Sequence, residues 1–170
     1  SAIPIAMGEL FVNVNEYLPL VKDRLIDFMR VHISDIGGLT PARKLAALSE
    51  YFGVRTAWHG PGDVSPVGHA ANMHLDLASY NFGIQEENRF SANVREVFPG
   101  APEIKGGHMY ANDKPGLGID IDEPGALEVD ARAVAQRCNQ QRNGHQRGGE
   151  ALLQGAGSHC ATSIAYDASP

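Results

Sequence analysis

Four short apolar segments recur along the first 90 residues, and a polar residue able to do chemistry closes each one. The segments cover residues 2–8, 25–33, 54–58 and 82–85. The closing residues are Glu9, His32, His59 and Glu86, and successive members are 23, 27 and 27 positions apart. A (β/α)8 barrel of about 250 residues uses about 30 residues per βα unit and builds its active site at the carboxyl ends of its strands. The spacing therefore predicts consecutive parallel strands with their functional groups at one edge.

Helical patterns separate the apolar segments. Pro19–Arg24 has helical character, and Thr40-Pro41 offers an N-cap followed by proline, with Gly53 at the expected end of that helix. Ser65-Pro66 begins a further helix that reaches roughly Leu77. The order β-α-β-α-β-α-β is typical of a parallel sheet. A doubly wound sheet also alternates in this way, but its site lies at one switch point, so four functional strand ends favour a barrel.

The rest of the chain has a different composition. Residues 88–123 are rich in proline, glycine and turn motifs, and we expect them to wrap the barrel surface as loops. Residues 124–170 contain no Lys, Phe or Trp and hold both cysteines, Cys138 and Cys160. We expect residues 1–87 to form part of a barrel and residues 124–170 to form a poorly ordered tail.

Composition and charge exclude several classes of function. The net charge of −6 argues against a nucleic-acid partner, and no apolar run approaches the length of a membrane span. Two cysteines provide neither a disulfide framework nor a zinc spacing, so we expect a reducing cytoplasmic compartment. The N-terminus has no initiator Met and no signal peptide, and it opens directly on an apolar run. We therefore expect the chain to begin inside a domain.

The polar residues at the first two strand ends each have two interpretations. Glu9 follows an apolar segment, where a carboxylate is bound to a metal, paired with a cation or solvated at the barrel mouth. Arg30 and His32 lie two residues apart on one strand face. They form either a rim salt bridge with a hydrogen-bonded histidine, or a site in which Arg30 clamps a substrate carboxylate.

The polar residues at the last two strand ends also have more than one interpretation. His59 precedes a glycine-proline loop that contains Asp63, and such a histidine can bind a polyol, transfer a proton or serve only packing. Glu86 is followed directly by Glu87, so one of the two is expected on a solvated face. His69 and His74 lie on the intervening helix, where packing or surface roles are expected.

Five stretches resemble the D-mannonate dehydratase group of the enolase superfamily, and the resemblance covers roughly residues 1–123. The stretches are Gly8-Glu9-Leu10-Phe11, residues 30–44 (RVHISDIGGLTPARK), residues 58–66 (WHGPGDVSP), residues 81–86 (NFGIQE) and residues 112–118 (NDKPGLG).

The resemblance implies the C-terminal part of a modified (β/α)8 barrel, about strands five to eight. In that family a capping domain precedes the barrel, and three carboxylates hold one Mg²⁺. Glu9 matches the third of these ligands, and the first two and the general acid and base are expected upstream of Ser1. The positions that contact the sugar acid are matched by Arg30, His59, Asp63 and Glu86, with Glu9 also beside the substrate.

The implied reaction is Mg²⁺-dependent dehydration of D-mannonate to 2-keto-3-deoxy-D-gluconate through an enediolate. A gluconate dehydratase of the same family is the alternative, and a parent enzyme of this kind is expected to be a homo-oligomer. A catalytically inactive fragment or paralogue is a second class of hypothesis, since one of three ligands is present. A half-barrel binding module, with rim salt bridges at the strand ends, is a third.

Overall fold

A computed structural model describes residues 2–129 and residue 132. Contacts divide the chain into two units, residues 1–123 and residues 124–170. The first unit is built on a parallel sheet in the order β1 (Ala6–Met7), β2 (Phe28–Met29) and β3 (Arg55–Thr56). The apolar segment at 82–85 continues this order through a parallel bridge from Thr56 to Phe82. Four consecutive segments are thus neighbours in chain order, as in an arc of a barrel.

Within residues 2–122 the structure has four helices: α1 (Val14–Lys22), α2 (Leu39–Tyr51), α3 (Pro66–Leu77) and α4 (Ala92–Val97). An Asn13–Glu16 capping box begins α1, and the hydroxyl of Ser65 accepts from the Gly68 N–H at 3.1 Å to begin α3. An antiparallel hairpin of β4 (Glu103–Lys105) and β5 (His108–Tyr110) comes last.

The core lies between the sheet and helices α1, α2 and α3. Its fully buried members include Trp58, Met29, Leu45, Val21 and Val54. Full burial of such a side chain contributes about 1.5–3 kcal/mol. This packing fixes the strand ends from which the polar side chains project.

Several element boundaries differ from the sequence-based prediction. Helix α1 begins at Val14 rather than Pro19, because the Asn13 cap satisfies the first amides and Pro19 is accommodated inside the helix. Helix α2 begins at Leu39 after Gly38, so Thr40 is not its N-cap. Gly53 has the expected positive φ of 70° after this helix.

The strands and the segment after them also differ from expectation. The predicted buried strand at residues 2–8 forms only β1, and Ile3, Ile5 and Met7 are exposed because β1 is the edge strand of the sheet. Residues 88–123 were expected to be loops, yet they contain α4 and the β4–β5 hairpin. Ser91 caps α4, and Gly106 and Gly107, both at positive φ, close the hairpin turn.

The predicted tail and both cysteines lie outside the described residues, apart from residues 124–129 and 132. In the part of the chain that the structure describes, no helix has the length and apolar character needed to cross a membrane.

Candidate functional site

The structure brings all five predicted site residues together at the carboxyl ends of the strands. Arg30, which follows β2, lies at the centre. Its Nη1 is 2.8 Å from Oε2 of Glu9, and its Nη2 is 2.7 Å from Oε2 of Glu86. One guanidinium therefore joins the end of the first strand to the end of the fourth segment, in the manner of the predicted rim salt bridge.

His59 lies beside this pair of salt bridges with a side chain only 3% exposed. Its Nε2 is 3.6 Å from Oε1 of Glu9 and 3.8 Å from Oδ1 of Asp63, and its Nδ1 is 3.2 Å from Oε2 of Glu86. None of these approaches has the geometry of a hydrogen bond, so neither buried ring nitrogen has a hydrogen-bond partner within the part of the chain that the structure describes. A buried polar group without a partner is costly, and a polar ligand at this position would satisfy it.

His32 borders the site. Its ring centroid is 5.3 Å from that of His59, and its Nδ1 accepts from the Ser34 N–H at 3.1 Å. That hydrogen bond fixes the ring orientation, which fits the interpretation of His32 as a hydrogen-bonded histidine beside the site.

Backbone contacts hold the loop after β3 against the segment that ends at Glu86. The Gly60 N–H donates to Oε2 of Glu86 at 3.2 Å. A Cβ on Gly60 would collide with the carbonyl oxygen of Glu86, so only glycine allows this approach. The side-chain amide of Gln85 donates to the carbonyl of Trp58 at 3.0 Å, and that of Asn72 donates to the carbonyl of His59 at 3.1 Å.

The charges in the site favour the ionised form of Glu86. Partial burial opposes ionisation of Glu86, but hydrogen bonds from Arg30 and from the Gly60 N–H lower the pKa of Glu86. The hydrogen bond to Glu86 and the neighbouring Glu9 in turn raise the pKa of Arg30. Both groups are therefore charged at neutral pH.

Glu9 is the residue with the properties of a metal ligand. Its side chain is 49% exposed, and Arg30 bonds only its Oε2, while Oε1 faces His59. Oxygen donors of this kind suit Mg²⁺. Within residues 2–129 and 132, however, no three His, Cys, Asp or Glu side chains converge as a metal site. Among these residues Glu9 could therefore supply a single oxygen ligand.

Sequence reasoning did not single out His69 and Glu87 as functional. His69 was expected to pack or lie at the surface, and Glu87 was a candidate for a solvated face. The structure buries the His69 side chain completely, leaves that of Glu87 9% exposed, and joins Nδ1 to Oε2 at 2.8 Å. The three-residue spacing from His69 to Asn72 on α3 was the available signal, because such a spacing puts both on one helix face.

The sequence model of the enolase C-terminal domain-like family matches residues 1–125. The chain belongs to this family, and the predicted α/β fold, an incomplete enolase-superfamily barrel, is confirmed.

Two relatives show which members of the family have sequences similar to this chain. A D-galactonate dehydratase family member of Salmonella enteritidis PT4 is 68% identical over 128 residues, which are 75% of this chain and 30% of that protein. A member of the same family from Musicola paradisiaca is 66% identical over 123 residues, 72% of this chain and 30% of that protein. The chain thus spans about a third of the length of these relatives.

Two solved structures of the same superfamily superpose on this chain. The crystal structure of an enolase from Pantoea ananatis with bound D-gluconate and Mg superposes with a TM-score of 0.74 at 64% identity, covering 75% of this chain and 31% of that one. A mandelate racemase/muconate lactonizing enzyme from Jannaschia sp. CCS1 superposes with a TM-score of 0.66 at 29% identity, covering 76% and 32%.

Proposed function

We propose that this chain forms the C-terminal part of the barrel of a Mg²⁺-dependent sugar-acid dehydratase, with D-mannonate as the favoured substrate and D-gluconate as the alternative. One observation carries the proposal: Arg30 joins Glu9 to Glu86 at the strand ends, with the buried His59 and the exposed Asp63 beside them. The enolase bound to D-gluconate and Mg, 64% identical to this chain, supports the same chemistry.

Glu9 would supply one carboxylate ligand to Mg²⁺. The ion, when bound, contributes positive charge that stabilises the enediolate formed when the proton α to the substrate carboxylate is lost. The further ligands and the general acid and base are expected outside this chain. Among the described residues we therefore assign binding and orientation, and no proton transfer.

The remaining site residues would bind the sugar acid. Arg30 fixes the positions of the Glu9 and Glu86 carboxylates by pairing with both. Glu86 and Asp63 offer acceptor oxygens to substrate hydroxyls. His59 offers two buried ring nitrogens that have no hydrogen-bond partner among the described residues. Polyol hydroxyls both donate and accept, so they suit this mixed set of groups.

D-mannonate and D-gluconate differ only in configuration at C2, the carbon that loses its proton. Both therefore pass through the same enediolate and yield the same 2-keto-3-deoxy acid. D-galactonate differs from D-gluconate at C4 and yields a different product. A contact to the C4 hydroxyl would therefore separate the galacto from the gluco and manno substrates.

The test uses a grafted enzyme, in which residues 2–123 of this chain replace the matching stretch of the Pantoea ananatis enolase. We expect it to release 2-keto-3-deoxy-D-gluconate from D-mannonate with Mg²⁺ present, and to stop when the metal is chelated. Turnover of D-gluconate alone would support the alternative substrate. Loss of all turnover, with D-gluconate and Mg²⁺ still bound, would contradict the proposed activity.

A catalytically inactive fragment or paralogue is the second candidate, because the described residues hold no three-ligand metal group. It predicts that the grafted enzyme binds sugar acid without dehydrating it. Homo-oligomeric assembly of the complete enzyme and a cytoplasmic location stay predictions that mass photometry and cell fractionation would test.

A further inference from the structure

His69 has hydrogen-bond acceptors on both sides of its ring. Nδ1 lies 2.8 Å from Oε2 of Glu87, and Nε2 lies 3.2 Å from the carbonyl oxygen of Pro61. The side chain is fully buried, and Phe90 packs edge-on against its ring at 4.9 Å. The ring is therefore held in one orientation by three contacts.

The hydrogen bonds of His69 restrict how many protons its ring and the Glu87 carboxylate carry together. A carbonyl oxygen can only accept, so Nε2 of His69 must donate to Pro61. Between Nδ1 and the Glu87 carboxylate one more proton is needed for the 2.8 Å contact to be a hydrogen bond. With Glu87 ionised, His69 is an imidazolium that donates from both nitrogens, and the two charges offset each other in a buried position.

Both partners of His69 lie next to site residues. Pro61 is in the loop that carries Gly60 and Asp63, and Glu87 directly follows Glu86. Gly60 also donates to Glu86 from the same loop. His69 thus forms a second connection between the two segments that Gly60 and Glu86 already join.

Helix α3 adds a further connection on the same face. Asn72, fully buried and three residues after His69, donates to the carbonyl of His59 at 3.1 Å. Two buried polar side chains of α3 therefore hold the backbone at positions 59 and 61. Of these two side chains, His69 also contacts Glu87, in the segment that follows residues 82–85.

We propose that His69 is a positioning residue for the sugar-acid site. By donating to Pro61 and Glu87 it fixes the distance between the loop carrying His59 and Asp63 and the segment carrying Glu86. This inference rests on the proposed function for its ligand, a sugar acid. It does not depend on the metal, because neither His69 nor Glu87 contacts Glu9.

The test compares three variants of the grafted enzyme. His69→Phe keeps an aromatic ring and removes both donors, Glu87→Gln removes the charge that retains the second proton, and His74→Phe is the control on the same helix. We expect His69→Phe to weaken D-gluconate binding about tenfold, and Glu87→Gln to weaken it by a smaller factor. Affinity for Mg²⁺ without sugar acid should change less than about twofold in both, and His74→Phe should match the parent graft.

A loss of Mg²⁺ affinity equal to the loss of sugar-acid affinity would overturn the inference, because it would mean that His69 only supports folding. Unchanged D-gluconate binding in His69→Phe would overturn it as well. A nitrogen-15 NMR measurement of the His69 ring gives an independent readout, and we expect both ring nitrogens to carry protons. If the parent graft binds no sugar acid, the proposed function fails. A His69 ring with a proton on only one of its nitrogens would contradict the inference, whether or not sugar acid binds.

Discussion

At the scale of the residue, the site depends on the two-sided geometry of Arg30. Nη1 and Nη2 of one guanidinium bond two different carboxylates, on Glu9 and Glu86, at 2.8 and 2.7 Å. A lysine ammonium is a compact charge on a flexible stem and cannot reproduce this planar fork. Arg30 therefore fixes the separation of the two carboxylates, which no shorter or more flexible cation would do.

We predict that Arg30→Lys in the grafted enzyme weakens D-gluconate binding about tenfold, a loss of about 1.4 kcal/mol. The ammonium can keep one carboxylate in place but releases the other. Arg55→Lys is the matched control, since the exposed Arg55 side chain donates to the Phe82 carbonyl and lies over the Phe28 ring rather than joining two carboxylates. Calorimetric titration with both variants checks the prediction, and equal affinities would refute the role given to Arg30.

The ion pair at Glu86 also has a pH dependence of known sign. The pKa of Glu86 in the folded chain is lowered, so the pair stabilises the fold above the pKa of an unfolded glutamate and is lost as the pH falls through the folded value. Glu86→Gln should therefore be less stable than the parent at neutral pH, by less than about 1 kcal/mol because the pair is partly exposed. Urea unfolding should show the difference vanishing in acid; a difference that grows there would contradict the sign.

The candidate site residues could be proposed from sequence because each lies near the end of an apolar segment or in the loop after it. The strand positions and their parallel arrangement are enough to predict that Glu9, Arg30, His59 and Glu86 lie at one edge of the sheet. What could not be predicted was their pairing, since spacing gives no distance between side chains on different strands. The hydrogen bonds of His69 could not be predicted for a related reason: its partners, Pro61 and Glu87, are 8 and 18 positions away.

At the scale of the element, the loop after β3 depends on one glycine. We predict that Gly60→Ala destabilises the grafted enzyme by about 1–3 kcal/mol and weakens sugar-acid binding, because the new methyl group would collide with the Glu86 carbonyl. Gly62→Ala is the control in the same loop, where a Cβ would meet only the flexible end of the Asn88 side chain, at 3.1 Å. Chemical denaturation of the two variants checks this, and equal stability losses would contradict it.

Helix α3 carries an aspartate in an unusual state. Burial, together with the nearby charge of Glu87, raises the pKa of Asp76 to about 8. A raised pKa stabilises the protonated folded form fully below the unfolded value near 4, and this contribution is lost as the pH rises through about 8.

We therefore expect a carbon-13 NMR titration of the 170-residue chain to place the Asp76 carboxyl midpoint at about 8. Asp76→Asn should remove the loss of stability that occurs between about pH 4 and about pH 8, and Asp113→Asn should not. An Asp76 midpoint near 4 would show that the carboxyl is solvated and would contradict the burial described for it.

The succession of elements was predictable, and several of their bounds were not. Alternating apolar and helical patterns gave the order of the strands and helices, because burial imposes those patterns on the sequence. The beginning of α1 depended on the Asn13 cap, and the β4–β5 hairpin depended on positive φ angles at Gly106 and Gly107. Both are local hydrogen-bonding and backbone effects that leave little hydrophobic periodicity.

At the scale of the whole molecule, the chain presents part of a barrel with apolar edges. Ile3, Ile5 and Met7 at one edge are 75%, 38% and 47% exposed, and Ile84 at the other is 63% exposed. Exposed strand edges with apolar side chains favour association. The chain matches only about 30% of the length of its relatives, so we infer that further barrel strands would cover these edges.

Magnesium titration tests most directly the central claim that Glu9 is one ligand of a metal site completed outside this chain. We expect the grafted enzyme to bind Mg²⁺ in calorimetry, and Glu9→Gln to weaken this binding at least about tenfold. Glu16→Gln, at the start of α1, is the control, and the 170-residue chain alone should not bind Mg²⁺ tightly. Micromolar binding by the isolated chain, or unchanged binding by Glu9→Gln, would contradict the account.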